Sequence, residues 1–172
     1  MLERDRAALV VVDIQEAFRG YPTFAQVAAS AARLLRGARI LGLPTVVTEQ
    51  YPRGLGHTVP EVGLEGEVPV EKAVFSAVRA EGFHIGDADQ VVLCGIETHV
   101  CVAQSALDLL ERGVEVQVVA DAVGSRHAGD HERALVRLES AGAVVSTVEA
   151  VLFELLERAG TPEFKAVQGL VI

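Results

Sequence analysis

Gln90-Val91-Val92-Leu93-Cys94-Gly95-Ile96-Glu97-Thr98-His99-Val100-Cys101 is the stretch whose reading decides the fold. Gln90 to Gly95 is an almost unbroken apolar run, of the kind found in strands buried on both faces of a parallel sheet. A helical pattern follows from about Thr98 to Arg112. A second run, Ala7-Ala8-Leu9-Val10-Val11-Val12-Asp13, is apolar until it ends in a carboxylate. Between them, Phe24 to Leu41 carries Val27, Ala31, Leu34, Leu35 and Ala38 on one stripe, as a helix packed on one side does. Gly42 and Pro44 stop it.

The remaining segments keep the alternation. Pro44 to Glu49 reads as a strand, Gln50 to Gly66 as a long irregular loop, and Val68 to Lys72 as a short extended piece. Ser76 to Glu81 suits a short helix. Val114 to Val119 is a strand, His131 to Ala141 a helix, Ala143 to Thr147 a strand and Val148 to Arg158 the last helix. Strands alternating with helices predict an α/β fold with a mostly parallel sheet and helices on both faces. The 172 residues fit one domain, without internal repeats or linkers. In such sheets right-handed crossovers bring the C-terminal strand ends to one edge, where ligands bind.

Charge narrows the partners. The net charge is −9, which argues against the basic surface that nucleic acid or anionic membranes require. A small-molecule substrate is expected instead. No apolar run is long enough to span a membrane. Met1 to Arg6 carries charges of both signs and no signal-like apolar segment, so a cytoplasmic location is expected. Two cysteines, Cys94 and Cys101, make no disulfide framework.

Three polar residues fall at or just after strand ends: Asp13, Lys72 and Cys101. Cys101 lies in the first turn of the helix that follows a central strand, where free N–H groups and the helix dipole favour a thiolate. A neighbouring Lys72 ammonium would lower the thiol pKa further, and Asp13 could take its proton. Each also has a plainer reading. Cys101 could be a small buried hydrophobe, Asp13 a cap, and Lys72 a solvated surface charge. Lys72 gains interest from rarity, since arginine supplies all but two of the 15 basic side chains. Cys94, mid-strand, reads as buried core. The five histidines lack metal-ligand spacing, so neither a metal nor another cofactor is expected. Gly54-Leu55-Gly56 lacks the strand-turn-helix setting of a dinucleotide site and reads as loop.

Together these segments resemble the isochorismatase-like cysteine hydrolase family. The matching motifs are Val11 to Phe18, Lys72 with Phe75-Ser76, Gly95 to Val102, and Asp121-Ala122-Val123-Gly124-Ser125-Arg126. Thr48 to Gly56 and Pro162 to Lys165 are similar to the family's short isochorismatase-domain subgroup. The resemblance implies a Rossmann-like three-layer fold with about six strands, and an Asp13–Lys72–Cys101 triad. It implies a non-proline cis peptide before Glu97, with the Glu97 and Cys101 backbone N–H groups forming an oxyanion hole. It also implies a homo-oligomer and a pocket lined by Gln15, Phe18, Gln50, Tyr51 and Phe75. True isochorismatases lack the nucleophilic cysteine, so Cys101 points away from isochorismate. Nicotinamidases of the family hold a metal through Asp-x-His after the second strand, where this chain has Thr48-Glu49-Gln50. The expected chemistry is hydrolysis of a small non-peptide amide through a thioester. The alternatives are a catalytically silent binding or scaffold protein on the same fold, and a redox-sensing thiol protein.

Overall fold

A computed structural model describes residues 1–172. The elements run β1 (Ala7–Val12), α1 (Phe24–Leu41), β2 (Thr45–Gln50), α2 (Pro52–Leu55), β3 (Val70–Lys72), β4 (Gln90–Ile96), α3 (Ala103–Glu111), β5 (Glu115–Gly124), α4 (Ala128–Ser140), β6 (Val144–Ser146), α5 (Val148–Leu156) and α6 (Phe164–Gln168). The six strands form one sheet in the order β3-β2-β1-β4-β5-β6. Every pairing in it is parallel.

The continuous apolar runs explain the layering. All residues of β1 and β4 are buried, because each strand faces a separate core on either side. Leu9, Val11 and Cys94 point into a core closed by α1, α5 and α6. Val10, Val12, Leu93 and Cys101 belong to the other core, closed by α3 and α4. The result is a three-layer parallel α/β fold. No helix of the chain is long and apolar enough to cross a membrane.

Strand order reverses direction between β1 and β4. A crevice opens at such a switch point, beyond the carboxyl ends of the two strands. Gly95 shows how tightly the strands approach there. It pairs with Val12 at φ +126°, and a Cβ at that position would sit 2.0 Å from the Val12 carbonyl oxygen. Only glycine fits that conformation and that approach.

Several boundaries differ from the sequence reading. The helix expected from Thr98 is two pieces, a single π turn over Thr98–Val102 and then α3. The wide turn is closed by the Val102 N–H donating to the Glu97 carbonyl at 3.2 Å. The loop from Gln50 contains α2 and a 3₁₀ turn, Pro60–Val62. The helix expected over Ser76–Glu81 is a 3₁₀ turn, Ala77–Arg79. β5 runs on to Gly124, past a register shift opposite Leu93 and Gly95. α4 starts three residues earlier than its apolar stripe indicates, because Ala128-Gly129-Asp130 forms its exposed first turn.

Candidate active site

Asp13 follows β1 directly and adopts φ +52°, a left-handed conformation that is uncommon for a non-glycine residue. It turns the chain at the crevice and leaves a fully buried carboxylate there. The Thr48 hydroxyl donates to its Oδ1 at 2.7 Å, and the Lys72 ammonium donates to its Oδ2 at 2.7 Å. Lys72 is therefore no surface charge. Its side chain is 0% exposed and that of Asp13 1%. The ammonium also meets Gln50 Oε1 at 2.6 Å, the Phe75 carbonyl at 3.0 Å and the Val74 carbonyl at 3.3 Å. Four acceptors surround three N–H donors, so burial is compensated on every side.

Cys101 comes to the same place from β4. The Ile96–Glu97 peptide is cis, and the π turn that follows carries the thiol. Ser105 Oγ donates to the Cys101 carbonyl at 2.6 Å and accepts the Ala77 N–H at 2.8 Å. The turn is also tied to the end of β5 and the start of α4. Glu97 Oε1 accepts the Arg126 N–H at 3.1 Å, His99 Nδ1 lies 3.0 Å from Ser125 Oγ, and Thr98 Oγ1 lies 3.0 Å from His131 Nδ1.

The electrostatics of the thiol reverse the expected sign. Burial pushes Cys101 up to about 12; the Asp13 carboxylate adds to the rise and the Lys72 ammonium opposes it. At neutral pH that leaves the sulfur a protonated thiol beside a carboxylate. Cys94 is pushed up to about 12 by burial alone, inside the opposite core. Both cysteines are free thiols.

The five residues expected to line a pocket divide into two kinds. Gln15 is fully buried, and its amide is engaged by the loop. Nε2 donates to the Gln50 carbonyl at 3.0 Å and the Gly56 carbonyl at 2.6 Å, while Oε1 accepts the Gln50 N–H at 2.7 Å. Gln50 uses its own amide on Lys72 and on the Ala73 carbonyl. Both glutamines thus position other groups. Phe18 is half-buried against Tyr21, ring centroids 5.3 Å apart, and Tyr51 and Phe75 are exposed. Gln15→Leu removes three bonds and leaves three backbone groups without their partners. We expect it to cost about 2–3 kcal/mol in urea unfolding.

Glu49, near the end of β2, anchors the loop. It accepts the Thr58 N–H at 2.6 Å and the Thr58 hydroxyl at 2.8 Å, and lies 3.0 Å from His57 Nδ1. Burial alone would raise its carboxyl; the Thr58 and His57 contacts outweigh that and hold it below the usual range. The same contact holds His57 above its ordinary 6.5. A raised histidine steadies the loop at low pH and loses that contribution as pH rises through its own titration. NMR titration of His57 should give a midpoint above 6.5, and Glu49→Gln should bring it back down.

Thr48, Ser105 and Ser125 were missed in the sequence. Thr48 sits one register position from Asp13, opposite Val12, which becomes visible only once β2 is known to flank β1.

Fold and site define a three-layer parallel α/β protein with a buried Asp–Lys pair and a cysteine turn at its switch point. This is the class of the isochorismatases. The chain belongs to the isochorismatase family, whose Isochorismatase domain matches residues 7–150. Isochorismatase domain-containing protein 2 of Danio rerio is 48% identical, over 96% of this chain and 86% of that protein. Among solved structures, MAR1 ribonuclease from Caenorhabditis elegans superposes with a TM-score of 0.91 at 41% identity, over 99% of this chain and 91% of that one. The YcaC gene product of Escherichia coli, an octameric hydrolase of unknown specificity, gives 0.80 at 27% identity, over 91% and 82%.

Proposed function

We propose that this chain is a cysteine hydrolase acting on a small non-peptide amide or related carbonyl compound. The observation that carries the reading is the buried Lys72–Asp13 ion pair, 2.7 Å long, acting directly on a thiol. A charge pair that buries both partners and also perturbs a nucleophile marks a working site.

As the Cys101 sulfur bonds to the carbonyl carbon, Asp13 takes the thiol proton. The oxyanion is received by the Glu97 and Cys101 N–H groups, donors worth about 3–4 kcal/mol each in such sites. Asp13 returns the proton to the leaving nitrogen as the C–N bond breaks, which leaves a thioester. Asp13 then takes a proton from water, whose oxygen attacks the thioester, and the released thiolate recovers that proton. Lys72 holds Asp13 in place and offsets its charge throughout. No cofactor enters these steps.

Two other readings have less support. A redox sensor would need a resolving thiol, and Cys94 and Cys101 pack into opposite cores. A silent scaffold has no use for an ammonium buried beside a carboxylate and a thiol. The ribonuclease activity carried in the name of the Caenorhabditis elegans neighbour would require cations for phosphate. Here Lys72 is fully engaged, and the chain carries −9 overall. The octameric YcaC supports the expectation of a homo-oligomer, which native mass measurement checks.

The test is to trap the thioester. Mixing the protein with an activated acyl donor and quenching in acid should add one acyl mass to the peptide containing Cys101 and none to that containing Cys94. Turnover of the donor with no acyl mass on Cys101 would refute the mechanism.

A further inference from the structure

We infer that the cleft at Cys101 selects uncharged acyl compounds and turns away carboxylates. This rests on the hydrolase reading and narrows its substrate class.

The argument is an inventory of polar groups. Both Asp13 oxygens are engaged, by Thr48 and Lys72. All three Lys72 donors are engaged. Gln15 and Gln50 direct their amides to backbone and to Lys72. A charged substituent beside the thiol would find none of these side chains available, and a buried charge without a partner is strongly disfavoured.

Charge offers no alternative attraction. Charges of both signs stand around the cleft. Lys72 is matched by Asp13. Arg53 and Glu71 line the same outer cavity of about 330 Å³ beside Tyr51. Arg19, next to Phe18, is held between Glu16 and Glu61. A carboxylate entering beside the thiol finds Lys72 already matched and meets Asp13. The exposed side chains beside Lys72 are aromatic: Tyr51 lines the outer cavity, and Phe75 follows the carbonyl that holds the ammonium. They suit a neutral amide with a short apolar group.

Iodoacetamide and iodoacetate test this without turnover, because they are nearly isosteric and differ in charge. Their labelling rates at Cys101 are read by peptide mass and divided by the rates on a free thiol such as N-acetylcysteine. A cationic reagent, 2-bromoethylammonium, forms the third arm. We expect the normalised preference for iodoacetamide over each charged reagent to be tenfold or more. Equal normalised rates, faster labelling by a charged reagent, or no labelling by any of the three would overturn the inference. The two claims fail separately. Selective labelling with no acyl-enzyme from any neutral donor would sink the hydrolase reading and leave the charge selection standing. An acyl-enzyme formed as readily from an anionic donor as from a neutral one would do the reverse.

Discussion

Asp13→Asn is expected to lower turnover of a neutral amide by about 10²–10⁴-fold, the usual worth of a positioned acid–base group, while the Cys101 thiol titrates at a lower pH than in the parent. The two changes have opposite signs for the thiol's availability, and that opposition identifies Asp13's role. In the parent, burial and the Asp13 charge hold the thiol near 12. At neutral pH that leaves the thiol protonated, so the proposed attack has Asp13 take the proton during bond formation. Asparagine removes the anion that opposes ionisation and, in the proposed mechanism, the group that carries the proton to the leaving nitrogen. Lys72 keeps its Gln50, Val74 and Phe75 acceptors, so the ammonium stays hydrogen-bonded in the variant. The measurements are the pH dependence of iodoacetamide labelling at Cys101 and the steady-state rate on one neutral donor. Unchanged turnover, or a thiol that titrates higher, would remove Asp13 from the mechanism.

The physics of the fold was local enough to read from the chain. An apolar run such as Ala7–Val12 has no solvent face to offer, so it must lie between two layers, and it does. The stripe on Phe24–Leu41 needs one partner face and found it. Asp13, Lys72 and Cys101 could be placed near one another because strand ends share an edge in a parallel sheet. What the sequence did not reveal depends on contacts across long separations. Gln15 is expected at the pocket on the resemblance alone; its amide is held by residues 35 and 41 positions away. Thr48 looked like ordinary strand until β2 was set beside β1. For the thiol, helix position and a nearby lysine are legible in the sequence, while the burial and the Asp13 charge that push it the other way are not. The π turn depends on a five-residue hydrogen bond that no periodicity announces.

Lys72→Met should cost about 3–5 kcal/mol of stability at neutral pH, because it leaves a buried carboxylate without its partner. The methionine fills much the same space and supplies no donor. Asp13 then keeps the Thr48 hydroxyl and the neighbouring Cys101 thiol, neither of them charged. The pH dependence separates this from a packing defect. A buried charge without a partner is disfavoured against its neutral form, so a deficit of electrostatic origin shrinks as pH falls. A cavity or a clash would give a deficit that ignores pH. Combining Lys72→Met with Asp13→Asn should recover part of the loss, since the stranded charge disappears; the non-additive portion is the coupling of the pair. Lys72→Arg should not restore the parent. A planar guanidinium with five donors cannot converge on Asp13 Oδ2, Gln50 Oε1 and two carbonyls that lie around a single nitrogen at 2.6–3.3 Å. Urea unfolding of the four variants at pH 5 and pH 7 decides the matter. A Lys72→Met deficit under about 1 kcal/mol, as surface pairs give, or one that grows toward acid, would mean that the ion pair does not organise this site.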